Sequence, residues 1–208
     1  MDLLQTMQGA ARAVQGRWVG ARHLATLSTT FQPFDRVPHN QETAGRREEE
    51  ECTSSRLLTS YGVVRAAGPG TFTLLPLGLR ALDKLVRLID RELGAAGCHR
   101  LAMPHLTPAP LWRRSGRLEA MGKELVRLRD RQERELVAAP TYEEAVTAMV
   151  ASLPVITPAA LPLRLYQVGA KFRDEMRPKF GLIRACEFTM KDLYTFDTGQ
   201  AAAEETYR

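Results

Sequence analysis

Apolar and polar positions alternate from Tyr166 onward. Tyr166, Val168, Ala170 and Phe172 fall on one face; Gln167, Lys171, Arg173 and Glu175 fall on the other. This period of two predicts a strand. A basic loop containing Arg177 and Lys179 follows, then a second strand on which Arg184 and Phe188, four apart, share a face. Upstream the period changes. Leu82, Leu85, Val86, Ile89 and Leu93 form a helical apolar stripe, with Arg80, Asp83, Lys84, Arg87 and Asp90 opposite and Gly94 and Gly97 placed to end the helix. Short strands are predicted at Thr71–Leu75, after the turn Gly68-Pro69-Gly70, and at Arg100–Met103, which stops at Pro104. A hairpin is expected from Met121 through Leu136-Val137-Ala138. A helix opens after Pro140, where Thr141-x-x-Glu144 reads as a capping box. Periodic structure begins near Leu57.

The 208 residues suffice for one domain of ordinary size with a tail, and 44% hydrophobic with 25% charged residues is a globular composition. A formal charge of +5 and a pI of about 9.4 are compatible with a nucleic-acid partner without requiring one. Cys52, Cys98 and Cys186 are isolated and the four histidines scattered, so neither a disulfide framework nor a zinc site is indicated. No apolar run approaches the ~18 residues of a membrane span.

Part of the positive charge lies in an interval free of acidic residues, from Asp2 to Asp35. It holds Arg12, Arg17, Arg22 and His23, interleaved with Trp18, Val19 and Leu24, and ends in Thr26, Ser28, Thr29 and Thr30. A basic, hydroxyl-containing leader predicts mitochondrial import, to the matrix, for residues 1–34. Arg12 and Arg17 interrupt the apolar core that a secretory signal needs. Residues 35–56, with Pro38, Asn40, Gly45, Arg46-Arg47 and the glutamates 48–51, read as a linker. The folded part is expected over residues 57–208.

The chemistry concentrates on the predicted hairpin. A guanidinium grips a phosphate in bidentate fashion, a carboxylate accepts an adenine amino proton, and an aromatic ring stacks on a base. Phe172-Arg173-Asp174-Glu175, a loop, then Arg184-x-x-x-Phe188 resembles motif 2 of class II aminoacyl-tRNA synthetases. Helix, strand and proline over 76–104 resemble motif 1 of the same class. Pro140-Thr141-Tyr142-Glu143-Glu144 and Met190-Lys191-Asp192 extend the resemblance to the bacterial-type prolyl-tRNA synthetases of mitochondria, over roughly Leu57 to Tyr207.

That resemblance implies an α/β (α+β) fold with a mostly antiparallel sheet flanked by helices. It implies ligation of proline to tRNA(Pro) through prolyl-adenylate, with ATP as substrate and Mg²⁺ bridging the phosphates. Thr141 and Glu143 would hold the secondary amine of proline. Arg173 would bind the α-phosphate and the carboxylate and is the catalytic assignment. Glu175 would take the adenine amino group, Phe188 would stack on the base, and Arg184 would reach the outer phosphates. Arg177 and Lys179 suit the tRNA acceptor end or ATP, and motif 1 implies a homodimer. Tyr142 stands where the family pattern has His, Ala185-Cys186 where it has Gly-Arg, and Gln132-Glu133 where a hairpin turn normally contains Gly. Motif 3 is not among the 208 residues. The alternative expectation is therefore a catalytically incomplete synthetase-like fragment acting in dimerisation or RNA binding.

Overall fold

The computed structural model describes Phe31–Pro33 and Cys52–Arg208. The leader arginines Arg12, Arg17 and Arg22 and residues 35–51 of the predicted 35–56 linker lie outside the described residues, and the last four linker residues, from Thr53, are helical.

Helix α1 (Thr53–Ser60) begins just ahead of Leu57 and leads into the hairpin of β1 (Val64–Gly68) and β2 (Thr71–Leu74). Helix α2 runs Pro76–Ala95. Pro76 occupies its first turn, where a missing N–H costs nothing. Gly97 takes φ +72° just past the end, and its N–H bonds Gly94 O (3.0 Å) while Cys98 N–H bonds Leu93 O (2.9 Å). That pair of bonds is a Schellman stop, so Gly97 ends the helix and Gly94 lies inside its last turn. Leu82, Val86, Ile89 and Leu93 are half-buried, whereas Leu79, Leu85 and Leu88 are exposed. Leu85 thus leaves the predicted stripe for a second, outward one. Asp90, assigned to the polar side, instead accepts hydrogen bonds from Tyr166 Oη (2.9 Å) and Arg100 Nη1 (2.6 Å) and ties the helix to the sheet.

After β3 (His99–Arg100) come β4 (Leu106–Pro108), α3 (Ala109–Arg114) and α4 (Arg117–Ala120). The hairpin β5 (Val126–Arg129) and β6 (Glu135–Ala138) follows, then α5 (Glu143–Ala151). The ten-residue strands β7 (Leu163–Phe172) and β8 (Glu187–Phe196) form the hairpin whose sequence resembles motif 2, and α6 (Gln200–Tyr207) follows it. Among the described residues the strands form three small sheets rather than one: β1-β2, β3-β7-β8 and β4-β6-β5. Four of the five pairings are antiparallel; β3 alone runs parallel, beside β7. The strand predicted at Arg100–Met103 pairs only over His99 and Arg100, with Leu101 N–H adding one bond to Tyr166 O (2.8 Å).

The β5–β6 turn places Glu133 at φ +58°, a left-handed conformation that favours Gly. Asp130 offsets it: Oδ1 accepts the N–H groups of Gln132 (2.8 Å) and Arg134 (3.0 Å), and Oδ2 pairs with Arg134 Nε at 2.5 Å. This local bonding holds the turn without glycine. Bonds from the Arg134 backbone and side chain keep the Asp130 carboxyl below its usual range.

Two apolar clusters frame the hairpin. Ala109, Trp112, Leu118, Leu125 and Val137 form one, with Trp112 Nε1 donating to Thr107 Oγ1 (2.9 Å). The other joins Ala139, Tyr142, Val146 and Val150 to Leu163, Leu165, Tyr194 and Phe196, seating α5 on one face of β7–β8. Gly70 turns at φ +70° with its α-carbon against Cys186 and Pro178; a Cβ there would meet Cys186 Sγ at 2.6 Å. Gly70 O accepts Cys186 N–H (2.7 Å), so the β1–β2 turn braces the return of the β7–β8 loop.

Candidate active site

The β7–β8 register decides which side chains meet. Gln167 pairs with Asp192, Gly169 with Met190 and Lys171 with Phe188, so these residues share the face that receives α5. Phe172 N–H bonds Ala139 O (3.2 Å), which docks residues 139–143 at the far end of β7. Thr141 and Tyr142 are buried there, and Glu143 opens outward as the first residue of α5.

The predicted capping box does not form. Tyr142 is the N-cap of α5, with no side-chain cap bond. Thr141 Oγ1 donates instead to Glu143 Oε2 in a short hydrogen bond. Glu144 turns to Arg117 Nη1 (3.2 Å) and Ser115 Oγ (2.8 Å), and the same Arg117 nitrogen lies 3.1 Å from Glu143 Oε2. Arg117 also covers the Trp112 ring, 5.3 Å from its centroid. Burial pushes the Glu143 pKa up, but the Thr141 hydroxyl, its own backbone N–H and Arg117 outweigh that and hold it below the ordinary carboxylate value. One guanidinium faces two carboxylates, so this corner keeps one negative charge in excess.

At the same end of β7, one residue on, Arg173 N–H bonds Cys186 O (2.9 Å), extending the ladder by one step, and its guanidinium lies over Phe188, 5.2 Å from the ring centroid. Arg173 Nε is buried and has no hydrogen-bond partner. The strand alternation ends there. β7 stops at Phe172, and Glu175 N–H folds back to Arg173 O (2.9 Å). Arg184 precedes β8 and forms an isolated bridge with Lys179. Neither Glu175 nor Arg184 is therefore placed by strand period. They find each other across the loop: Arg184 Nε to Glu175 Oε2, 2.8 Å. Arg177 and Lys179 are exposed, with Lys179 Nζ 4.9 Å from the Phe180 ring centroid and Met176 at the tip almost fully exposed. Asp174 N–H bonds Glu124 O (2.9 Å), so the turn Gly122–Glu124 holds the start of this loop.

Beneath Tyr142 and beside Phe188 lies a buried polar cluster outside the predicted site residues. Lys171 is fully buried, its Nζ 3.3 Å from Asp192 Oδ2 and 4.5 Å from the Tyr142 ring centroid. The contact with Asp192 is an ion pair rather than a directed hydrogen bond, for Lys171 Nζ makes none. Burial lowers the Lys171 pKa, and the charge of Asp192 opposes the shift. Asp192 Oδ2 also accepts Gln167 Nε2 (3.1 Å) and Tyr194 Oη (3.0 Å). Burial raises the pKa of Tyr194 well above that of free tyrosine. Alternation gave the signal for these residues: Lys171 and Gln167 share the Arg173 face, and Asp192 and Tyr194 fall in step with Phe188. Arg117 carried no such signal, because its partners are 26 and 27 residues away in sequence.

Among the described residues, no group of three or more His, Cys, Asp or Glu side chains is placed to hold a metal ion, and no helix is long and apolar enough to cross a membrane.

Residues 125–208 match the tRNA synthetase class II core domain (G, H, P, S and T). Over 182 residues the chain is 50% identical to the probable mitochondrial proline–tRNA ligase of Rattus norvegicus, covering 87% of this chain and 38% of the rat protein. The chain is a homologue of the proline–tRNA ligases. It is also 48% identical over 159 residues to the proline–tRNA ligase of Geobacillus sp. (strain WCH70), covering 76% of this chain and 28% of that protein. Its fold is that of the class II core: the Giardia lamblia prolyl-tRNA synthetase in complex with prolyl-adenylate superposes with a TM-score of 0.66 at 21% identity, over 73% of this chain and 32% of that one. The chain thus spans little more than a third of the length of its mitochondrial relatives.

Proposed function

We propose that this segment supplies the amino-acid and nucleotide ends of a site that ligates proline to tRNA(Pro) with ATP. One observation carries the reading. A corner with excess negative charge, Thr141–Glu143–Glu144–Arg117, accompanies on the β7–β8 hairpin a half-buried Arg173 whose Nε is buried and unused and whose guanidinium rests on an aromatic ring.

The two ends suit the two substrates. The ring nitrogen of proline is cationic and carries two protons, so it requires one carboxylate and one neutral acceptor; Glu143 and the Thr141 hydroxyl supply them. Glu144 stays with Arg117 and Ser115 and keeps the guanidinium in place when the ligand displaces it from Glu143. Arg173 directs its free donor to the α-phosphate, where charge grows as the proline carboxylate attacks and pyrophosphate leaves. Phe188 stacks on adenine. Arg184 occupies one oxygen of Glu175, and the remaining acceptor capacity of that carboxylate takes the adenine amino group. When the outer phosphates bind, Arg184 turns to them. The terminal adenosine hydroxyl of the tRNA, guided by Arg177 and Lys179, then attacks the prolyl carbonyl; the acyl–phosphate bond breaks, AMP leaves and the hydroxyl proton is released. Positioning and charge neutralisation perform the reaction, and no protein nucleophile is required. Mg²⁺ enters with the phosphates.

The exposed Leu85 and Leu88, one turn apart on α2, give this motif 1-like helix an apolar outer edge, which we assign to a homodimer contact. Residues 1–34 act as a mitochondrial matrix leader, 35–56 as a linker and 57–208 as the synthetase segment. ATP–pyrophosphate exchange by the full-length protein, with each amino acid in turn, tests the reading. Exchange should depend on proline; exchange with another amino acid, or with none, contradicts it.

A further inference from the structure

The pair of Lys171 and Asp192 lies beneath the proposed ligand groups rather than among them, and an ion pair in this position needs a reason. Taking two charges out of water is costly, and a buried pair is a weak source of stability compared with apolar packing. Where such pairs have an attested benefit, they fix one arrangement among several. Here the arrangement fixed is visible. Asp192 Oδ2 collects Lys171, Gln167 and Tyr194 at 3.3, 3.1 and 3.0 Å. The Tyr194 hydroxyl donates to Asp192 and accepts Tyr142 N–H at 3.1 Å. Lys171 presses on the ring of the same Tyr142. Tyr142 stands between Thr141 and Glu143 and is fully buried. The residue joining the two amine-binding groups is therefore held through its backbone and through its ring by contacts that lead to Asp192, while its hydroxyl hydrogen-bonds His105 Nδ1 (3.1 Å).

We propose that Asp192, acting through Tyr194 and Lys171, is a positioning residue for the amine end of the site: it pins Tyr142 and thereby sets the angle between Thr141 and Glu143. The inference rests on the proposed proline site for its effect on substrate, but not for the pinning itself. Among the described residues, Asp192, Lys171, Tyr194 and Tyr142 make no hydrogen bond or ion pair with Glu175 or Arg184, so the pinning acts first on the amino-acid end.

The test uses the full-length protein with Asp192→Asn, Tyr194→Phe and the two combined. Hydrogen exchange over residues 139–145 and the KM values for proline and ATP in pyrophosphate exchange are measured. Each single change should accelerate exchange of the Tyr142 amide and raise the proline KM about tenfold, the scale on which a displaced binding group matters. The ATP KM should stay within about twofold. Because both residues act along one route, the combined variant should be no worse than the worse single one. Unchanged amide exchange, a parallel rise in both KM values, or additive losses would overturn the proposal. An unmutated protein without proline-dependent exchange would refute the proposed function instead, and the amide exchange would still decide for or against the pinning.

Discussion

Replacing Glu143 by Gln separates binding from stability, because the two depend on it so differently. The corner holds Arg117 against Glu143 and Glu144. Glu143→Gln keeps the shape and an acceptor for the Thr141 hydroxyl but removes the charge in excess, so Arg117 and Glu144 balance and a cationic amine finds no partner. A hydrogen bond to a charged group contributes roughly 1.5–3 kcal/mol, which is about 10- to 150-fold in affinity. Stability responds less. The Glu143 side chain is 54% exposed and that of Arg117 34%, and screened pairs of this kind contribute about 0–1 kcal/mol. Since Glu144 remains with Arg117, the lower part of that range applies. The proline KM in pyrophosphate exchange should therefore rise by about 10- to 150-fold, while the melting temperature stays within a few degrees. A proline KM changed by less than about threefold would refute the role of Glu143. A large fall in melting temperature would show that the ion pair is structural.

Arg173→Ala should slow adenylate formation by roughly 10²–10³-fold, as for other positioned donors; a loss below about threefold in a folded variant would remove the assignment. A fluorescent protein fused to residues 1–45 should enter mitochondria, and replacing Arg12, Arg17 and Arg22 by Glu should abolish entry; unchanged localisation of the triple variant would reject a leader role. Glu133→Gly relieves the φ of +58° and gives up only an exposed pair with Arg129. Denaturant unfolding should show a gain of up to about 1 kcal/mol, whereas a clear loss would mean that Asp130 has already removed the strain.

Much of the motif 2 hairpin could be read from alternation alone, because a period of two assigns each side chain to a face once one face is known to be covered. Lys171 and Gln167 were placed in this way with Arg173. The same reasoning failed at Glu175 and Arg184, since the ladder ends at Phe172 and begins again at Glu187. Past those points side-chain direction follows the loop, and the Glu175–Arg184 pair is a tertiary fact. Thr141-x-x-Glu144 shows a different limit. Its spacing satisfies a capping box, yet Arg117 and Ser115 offer Glu144 a charged partner from another element, and a local rule yields to the stronger distant contact. Asp90 departs from expectation for a similar reason: a helical wheel places it among polar residues without showing that Tyr166 and Arg100 lie on that side.

The central claim is that the β7–β8 hairpin and the segment docked on it hold proline at Thr141 and Glu143 and adenine at Phe188. A crystal structure of the full-length protein with a non-hydrolysable prolyl-adenylate analogue tests this most directly. The account predicts the pyrrolidine nitrogen between the Thr141 hydroxyl and the Glu143 carboxylate, with Arg117 turned to Glu144. It also predicts Arg173 on the phosphate and the adenine against Phe188. An analogue bound with its ring nitrogen away from Glu143 while Arg117 keeps both carboxylates, or with its base away from Phe188, would contradict it.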